Sequence, residues 1–334
     1  MKLAVLAVAA AVVALPPPSF RASGYPLDLS GSGSRVAVVT SSCAVRVASF
    51  SRPPTAVRAP APCRDPEASV GTDGVWLGRS AIVVQTIDAP SPHGETFAIW
   101  AGSLPRGPLH PVGAEWGWTD SDVPGGYGCA WSVASGGGAI AMAKTPNALA
   151  VVHGNDTKPV CPAGPMTQIR LLGATPSSFT VPGSWSVLAT DGKRVALERL
   201  DANADPTGEL GLFSLSGKRL ATPAVTAATV KAAYQAWLTP EGIVVATRRG
   251  VVSPRWTVRA GGDVTVGYGR VLYVKGRTMH VRRIRGGPDR QLLRLPSSEA
   301  LIAAGSFGVA VATGSDTTTV YRLPWRTIDR TLPR

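Results

Sequence analysis

The chain has 334 residues, a formal net charge of +13, and 37 Gly and 29 Pro, with 44% hydrophobic but only 16% charged residues. Breakers at nearly one position in five exclude a helical bundle, and the apolar content excludes an intrinsically disordered chain. What remains is a β-rich globular protein.

At the start of the chain, Lys2 precedes an apolar run from Leu3 to Leu15, closed by Pro16, Pro17 and Pro18. That run is too short for a transmembrane helix, which needs about 20 residues. A basic start and a short apolar core match a secretory leader. Val12 and Ala14 supply small residues at the −3 and −1 positions, with weaker alternatives as far as Ser23. The leader is assigned to residues 1–23 with its cleavage position open, an uncleaved anchor being the alternative. Residues 24–334 contain no second long apolar run. They read as one monomeric domain, exported to the periplasm, the cell envelope or the medium.

Short runs rich in Val, Ala and Ile then recur along the chain, usually after a glycine turn. They begin at Val36, Ala81, Ala139, Val195, Ile243, Val271 and Val309. Their mean spacing of about 45 residues is the period of a propeller blade of four short strands. The runs are nearly continuous apolar, as expected of sheets buried on both faces between neighbouring blades. An alternating third strand follows several of them: Ala44 to Ser49, Thr96 to Ala101, Leu210 to Leu215, Met279 to Ile284 and Thr318 to Leu323. The fold class is therefore all-β, a seven-bladed β-propeller. The short step from 243 to 271 predicts one reduced blade, lacking its outer strand or misdivided from its neighbour.

Four cysteines, Cys43, Cys63, Cys129 and Cys161, allow three pairings. The sequential one, Cys43–Cys63 and Cys129–Cys161, is preferred because each pair lies within one local unit. Each bridge would stabilise by about 3 kcal/mol by constraining the unfolded chain. Zinc is disfavoured, since the sequence holds no C-x-x-C and its four His are scattered.

Two of the seven units carry a nameable pattern. The segment Trp185-Ser186-Val187-Leu188-Ala189-Thr190-Asp191-Gly192-Lys193-Arg194-Val195-Ala196 resembles the Trp-Ser-Pro-Asp-Gly-Lys-x-Ile-Ala repeat of TolB-type, WD40-like propellers, without its Pro. Ala236-Trp237-Leu238-Thr239-Pro240-Glu241-Gly242-Ile243-Val244 is similar, with Glu in place of Asp. The resemblance implies the propeller fold across Tyr25 to Pro333. It implies little about activity, because propellers host many functions.

No nucleophile-elbow, zinc-protease or phosphate-loop motif is present, and His93, His110, His153 and His280 fall in different units. Three stretches are candidates for binding. Between Arg248 and Arg294 there are twelve basic residues against Asp263 and Asp289, a net +10. Arg248, Arg249, Arg255, Arg277, Arg282, Arg283 and Arg285 are its candidate contacts. Arg283 and Arg285 are expected to project from one strand face, and the sector to attract anionic polymers or lipid headgroups. The leader argues against nucleic acid. In a second stretch, Trp116 and Trp118 at i and i+2 would share a strand face, with Asp120 and Asp122 as acceptors for a sugar or apolar ligand. Inter-blade packing is the competing reading. A third stretch, Asp201, Asn203, Asp205 and Glu209, has the oxygen spacing of a calcium loop, but Pro206 occupies the position of the sharp glycine turn. No cofactor other than this weak calcium option is expected. The function expected is non-enzymatic binding or scaffolding for an extracytoplasmic protein or an anionic envelope polymer. The alternative is a propeller hydrolase or lyase acting on an extracellular glycan.

Overall fold

The computed structural model describes residues 14–58, 71–91, 94–104, 107–112, 116–119, 130–145, 166–173, 175–201 and 205–332. After β1 (Phe20–Ser23), the first antiparallel sheet comprises β2 (Pro26–Ser32), β3 (Arg35–Thr40), β4 (Val45–Ser49) and β5 (Thr55–Val57). The second has β6 (Gly71–Leu77), β7 (Ala81–Ser91) and β8 (Gly94–Ser103), with β9 (His110–Pro111) and β10 (Trp116–Thr119) both paired to β8. The third is β11 (Ala130–Gly136), β12 (Ala139–Thr145), β13 (Met166–Leu172) and β14 (Ser177–Pro182). The fourth is β15 (Trp185–Thr190), β16 (Arg194–Leu200), β17 (Pro206–Ser214) and β18 (Arg219–Leu220). Helix α1 (Ala227–Lys231), capped where Thr226 Oγ1 accepts the Thr229 N–H at 3.2 Å, leads into the fifth. That sheet is β19 (Ala233–Thr239), β20 (Gly242–Thr247), β21 (Gly250–Val252) and β22 (Thr257–Val258). The sixth is β23 (Val264–Gly267), β24 (Arg270–Lys275), β25 (Thr278–Arg283) and β26 (Arg290–Arg294). The seventh is β27 (Leu301–Gly305), β28 (Gly308–Thr313) and β29 (Thr317–Leu323), and α2 (Trp325–Asp329) follows it. This is a seven-bladed β-propeller.

Each predicted marker run is the second strand of its blade, and its two faces serve two different interfaces. Val36 and Val38 pack against the seventh blade, whereas Ala37 and Val39, on the opposite face of β3, pack against the second. Val195 and Leu197 meet the third blade, and Ala196 meets the fifth. Alternation with period 2 sends consecutive residues to opposite neighbours, so both sets must be apolar. Seven hydrophobic clusters result, one at each boundary around the ring.

Nearer the axis, inner strands are tied across blade boundaries by side chains. Asp28 accepts the Val75 N–H at 2.7 Å and Ser30 accepts that of Leu77 at 3.0 Å. Asp263 and Thr265 repeat this toward the seventh blade, accepting from Ile302 at 2.6 Å and Ala304 at 3.0 Å. Ser132 accepts from Val187 at 2.7 Å. Inner strands have one edge without a ladder partner, and these acceptors satisfy backbone donors there.

One strand falls inside the range read as leader, and one expectation needs correction. Phe20–Ser23, grouped with the leader by the sequence reading, is the outer strand of the last blade: β1 pairs antiparallel with β29, Phe20 opposite Val320 and Ser23 opposite Thr317. The fifth blade does not lack its outer strand. It keeps all four and is shortened instead, with three residues in β21 and two in β22. Cys43, in the β3–β4 turn with φ 55°, is disulfide-bonded. Cys63, Cys129 and Cys161 lie outside the described residues.

Candidate functional site

Antiparallel order within each blade sorts the connections onto two faces. Links between blades and turns between second and third strands share one face, here the upper. Turns between first and second strands share the lower face.

On the upper face, α1, the start of β19 and the β20–β21 turn enclose a groove of about 770 Å³. Lys231, Arg248, Arg249 and Tyr234 line it, together with Thr229, Thr247 and Thr257. All three cations are exposed, and Tyr234 is 51% exposed. The Arg249 N–H donates to Thr247 Oγ1 at 3.3 Å, which shapes the turn presenting both arginines. The groove therefore offers convergent positive charge, an aromatic face and hydroxyls. Lys231, 17 residues before Arg248, is the member that a count confined to 248–294 misses.

The rest of the basic sector disperses. Arg255 is exposed in the β21–β22 turn. Arg277, between β24 and β25, donates to the Pro296 carbonyl. Arg282 lies over the Trp256 ring, 4.6 Å from its centroid, with Nε buried and unpartnered. The expected shared face of Arg283 and Arg285 is not formed: β25 ends at Arg283, and Arg285 lies in the following turn. There Arg285 Nε donates to Glu241 of the fifth blade at 2.9 Å. That bond is the main influence holding the Glu241 carboxyl below its ordinary range.

Trp116 and Trp118 occur in β10, whose backbone pairs them with Phe97 and Glu95. Asp120 and Asp122 lie outside the described residues, as does Asn203 of the acidic loop. Of that loop, Asp201 accepts the Asp205 N–H at 3.0 Å. The two Glu209 oxygens are held by Arg199 at 3.2 Å and Arg219 at 3.0 Å. Among the described residues, no group of three or more His, Cys, Asp or Glu is placed to hold a metal ion.

Two carboxylates on the inner side of the ring, Asp28 in β2 and Asp263 just before β23, bear comparison with an acid pair. Asp28 takes backbone N–H groups from Leu29 at 2.7 Å and from Val75. Asp263 takes those of Val264 at 2.8 Å and Ile302. Burial, with the Asp28 charge adding to it, pushes the Asp263 carboxyl up to about 7 despite these bonds. Both oxygens of each are thus committed to the backbone of the ring.

The lower mouth is lined by Gly, Ser and Ala from several blades, with Arg79 and Tyr268. Glycine is required where hairpins abut: a Cβ at Gly137, which has φ 59°, would lie 1.8 Å from the Asp191 carbonyl oxygen of the next blade. No carboxylate lines this mouth among the described residues.

No family model matches this chain, and no curated protein matches it. Solved structures resemble it weakly. Sqt1 of Saccharomyces cerevisiae has a TM-score of 0.46 at 8% identity, covering 90% of this chain and 96% of that one. The computationally designed Ika8 protein scores 0.45 at 10% identity, covering 92% and 98%. A glucose dehydrogenase scores 0.44 at 11% identity, covering 92% and 98%. Likenesses of this strength carry no functional argument, and the blade count rests on the strand pairing. Among the described residues, no helix is long and apolar enough to cross a membrane.

Proposed function

We propose that the chain is a non-enzymatic, exported propeller of the TolB-type, WD40-like kind whose upper groove binds an anionic envelope polymer. The observation carrying this is the convergence of Lys231, Arg248 and Arg249 on one groove beside exposed Tyr234. Export is supported by the apolar run after Lys2 and by the bonded state of Cys43, since disulfides persist in oxidising compartments. The family reading is supported by the two Trp-containing units, which fall at the β15–β16 and β19–β20 hairpins. A glycan hydrolase would call on Asp28 and Asp263, carboxylates from two blades of which the first raises the second electrostatically. Their oxygens are occupied by backbone donors, which favours the binding reading.

Polyglutamate serves as the probe of polymeric negative charge. Replacing Arg248 and Arg249 together with Gln should weaken its binding about thirtyfold, each surface cation contributing about 1 kcal/mol. Both side chains are exposed, so the melting temperature should not move. Equal binding by the variant and the parent chain would refute the groove as the site.

A further inference from the structure

The lower mouth is a second site, on the face opposite the basic groove. Its cavity measures about 330 Å³, within the range of small-ligand pockets. Three side chains on its wall do not serve the fold in the way their neighbours do.

Ser32 is the first. It is 7% exposed, lines the cavity, and its Oγ has no hydrogen-bond partner. Two residues earlier, Ser30 Oγ accepts the Leu77 N–H of the second blade. The donor two residues beyond Leu77 is already taken, because the Arg79 N–H donates to the Gly138 carbonyl at 2.7 Å. The regular ties between inner strands therefore stop at the cavity, and a hydroxyl is left over there. A buried hydroxyl without a partner is costly, and here it lies directly behind the cavity wall.

Arg79 is the second. Its backbone is fixed on both sides, by the bond to Gly138 and by Arg35 Nη1, which donates to the Arg79 carbonyl at 2.9 Å. Its exposed guanidinium has no acidic partner among the described residues. Two acids of other turns on this face have their own partners, Asp191 in Arg194 at 2.7 Å and Glu241 in Arg285.

Tyr268 is the third. It is 60% exposed and has φ 52°, where L residues other than Gly, Asn and Asp are uncommon. A brace holds it there. Its ring rests against Trp325 with centroids 5.1 Å apart, and Arg270 donates to its carbonyl. Arg270 in turn lies over Trp325 and pairs with Asp329, and Trp325 Nε1 donates to the Gly305 carbonyl at 2.8 Å. Helix α2 thus fixes an aromatic face at the rim of the mouth.

We infer that the lower mouth binds a small acidic sugar. The guanidinium of Arg79 would take the carboxylate, and the Tyr268 ring would pack on the C–H face of the pyranose. A guanidinium matches a carboxylate with two parallel bonds, while an exposed, preorganised ring supplies area at little entropic cost. This site is independent of the polymer groove and uses none of its residues.

Calorimetric titration of the full chain with glucuronate tests it, with glucose and acetate as controls. Saturable glucuronate binding is expected, with glucose and acetate each at least about tenfold weaker. Glucose keeps the ring without the charge, and acetate the charge without the ring. Arg79→Gln and Tyr268→Gly should each lose about tenfold. Glycine relieves the positive φ, so the second variant does not threaten the fold. The Arg248/Arg249 double variant should bind glucuronate as the parent does, which separates this site from the groove. Failure of glucuronate to bind, equal affinity for either control, or unchanged affinity in Arg79→Gln would overturn the assignment.

Discussion

Glu198 sits in β16 with 4% of its surface exposed and Oε1 lacking a hydrogen-bond partner. Burial pushes its carboxyl from the ordinary 4.5 up to about 7, against the pull of Lys231. Between those values the folded chain holds a proton that the unfolded chain has released. Stability must therefore fall as pH rises through this window, with the full cost present above it. Asp263, also raised to about 7, acts in the same direction. Replacing Glu198 with Gln imitates the protonated acid. The variant should gain about 2–3 kcal/mol over the parent at pH 8 and nothing near pH 4. Thermal melts at the two pH values check this, and a difference independent of pH would show that the charge is not what burial penalises.

At the scale of elements, the ring is closed by only four residues of β1. Their ladder to β29 is extended by flanking bonds, Ser19 N–H to the Val320 carbonyl at 2.8 Å and Gly24 N–H to that of Asp316 at 2.9 Å. Thr318 Oγ1 also donates to the Gly24 carbonyl at 2.6 Å, and Phe20 packs on the cluster between the first and seventh blades. A leader removed after Ala14 leaves this closure intact, whereas removal after Ser23 deletes it. The chain beginning at Leu15 should accordingly be more stable than the chain beginning at Gly24 by several kcal/mol, at about 1 kcal/mol per lost hydrogen bond plus the Phe20 burial. Urea denaturation of both chains measures this, and coincident midpoints would contradict it. The blades themselves were legible because each second strand is apolar on both faces, a pattern that survives in one sequence. β1 was not, since Phe20-Arg21-Ala22-Ser23 alternates weakly and follows an apolar run with its own reading. The shortened β21 and β22 escaped for a related reason: two or three residues contain no period.

Across the whole molecule, the positive charge is less concentrated than its sequence count implies. Within 248–294 the local acids number two, yet folding brings Glu241 to Arg285 and Asp329 to Arg270 from 44 and 59 residues away. Arg282 is turned into packing by Trp256. Such pairings come from neighbouring blades and from α2, so no local window could reveal them. The same holds for the lower mouth, which Ser32, Arg79 and Tyr268 reach from three different blades. Arg255, Arg259, Lys275 and Arg294 stay exposed but apart from the groove, whereas Arg248 and Arg249, joined by Lys231, converge on it. Exposed charges are screened over about 8 Å at physiological ionic strength and about 3 Å at 1 M. Polyglutamate binding should therefore weaken steadily with added salt and be lost near 1 M. The salt dependence should flatten in the Arg248/Arg249 variant, because fewer cations remain to be screened. It should persist in Arg285→Gln, whose side chain is already committed to Glu241. Titrations at a series of salt concentrations decide the matter: a slope lost in Arg285→Gln but kept in the double variant would move the binding surface off the groove and onto the edge of the sixth blade.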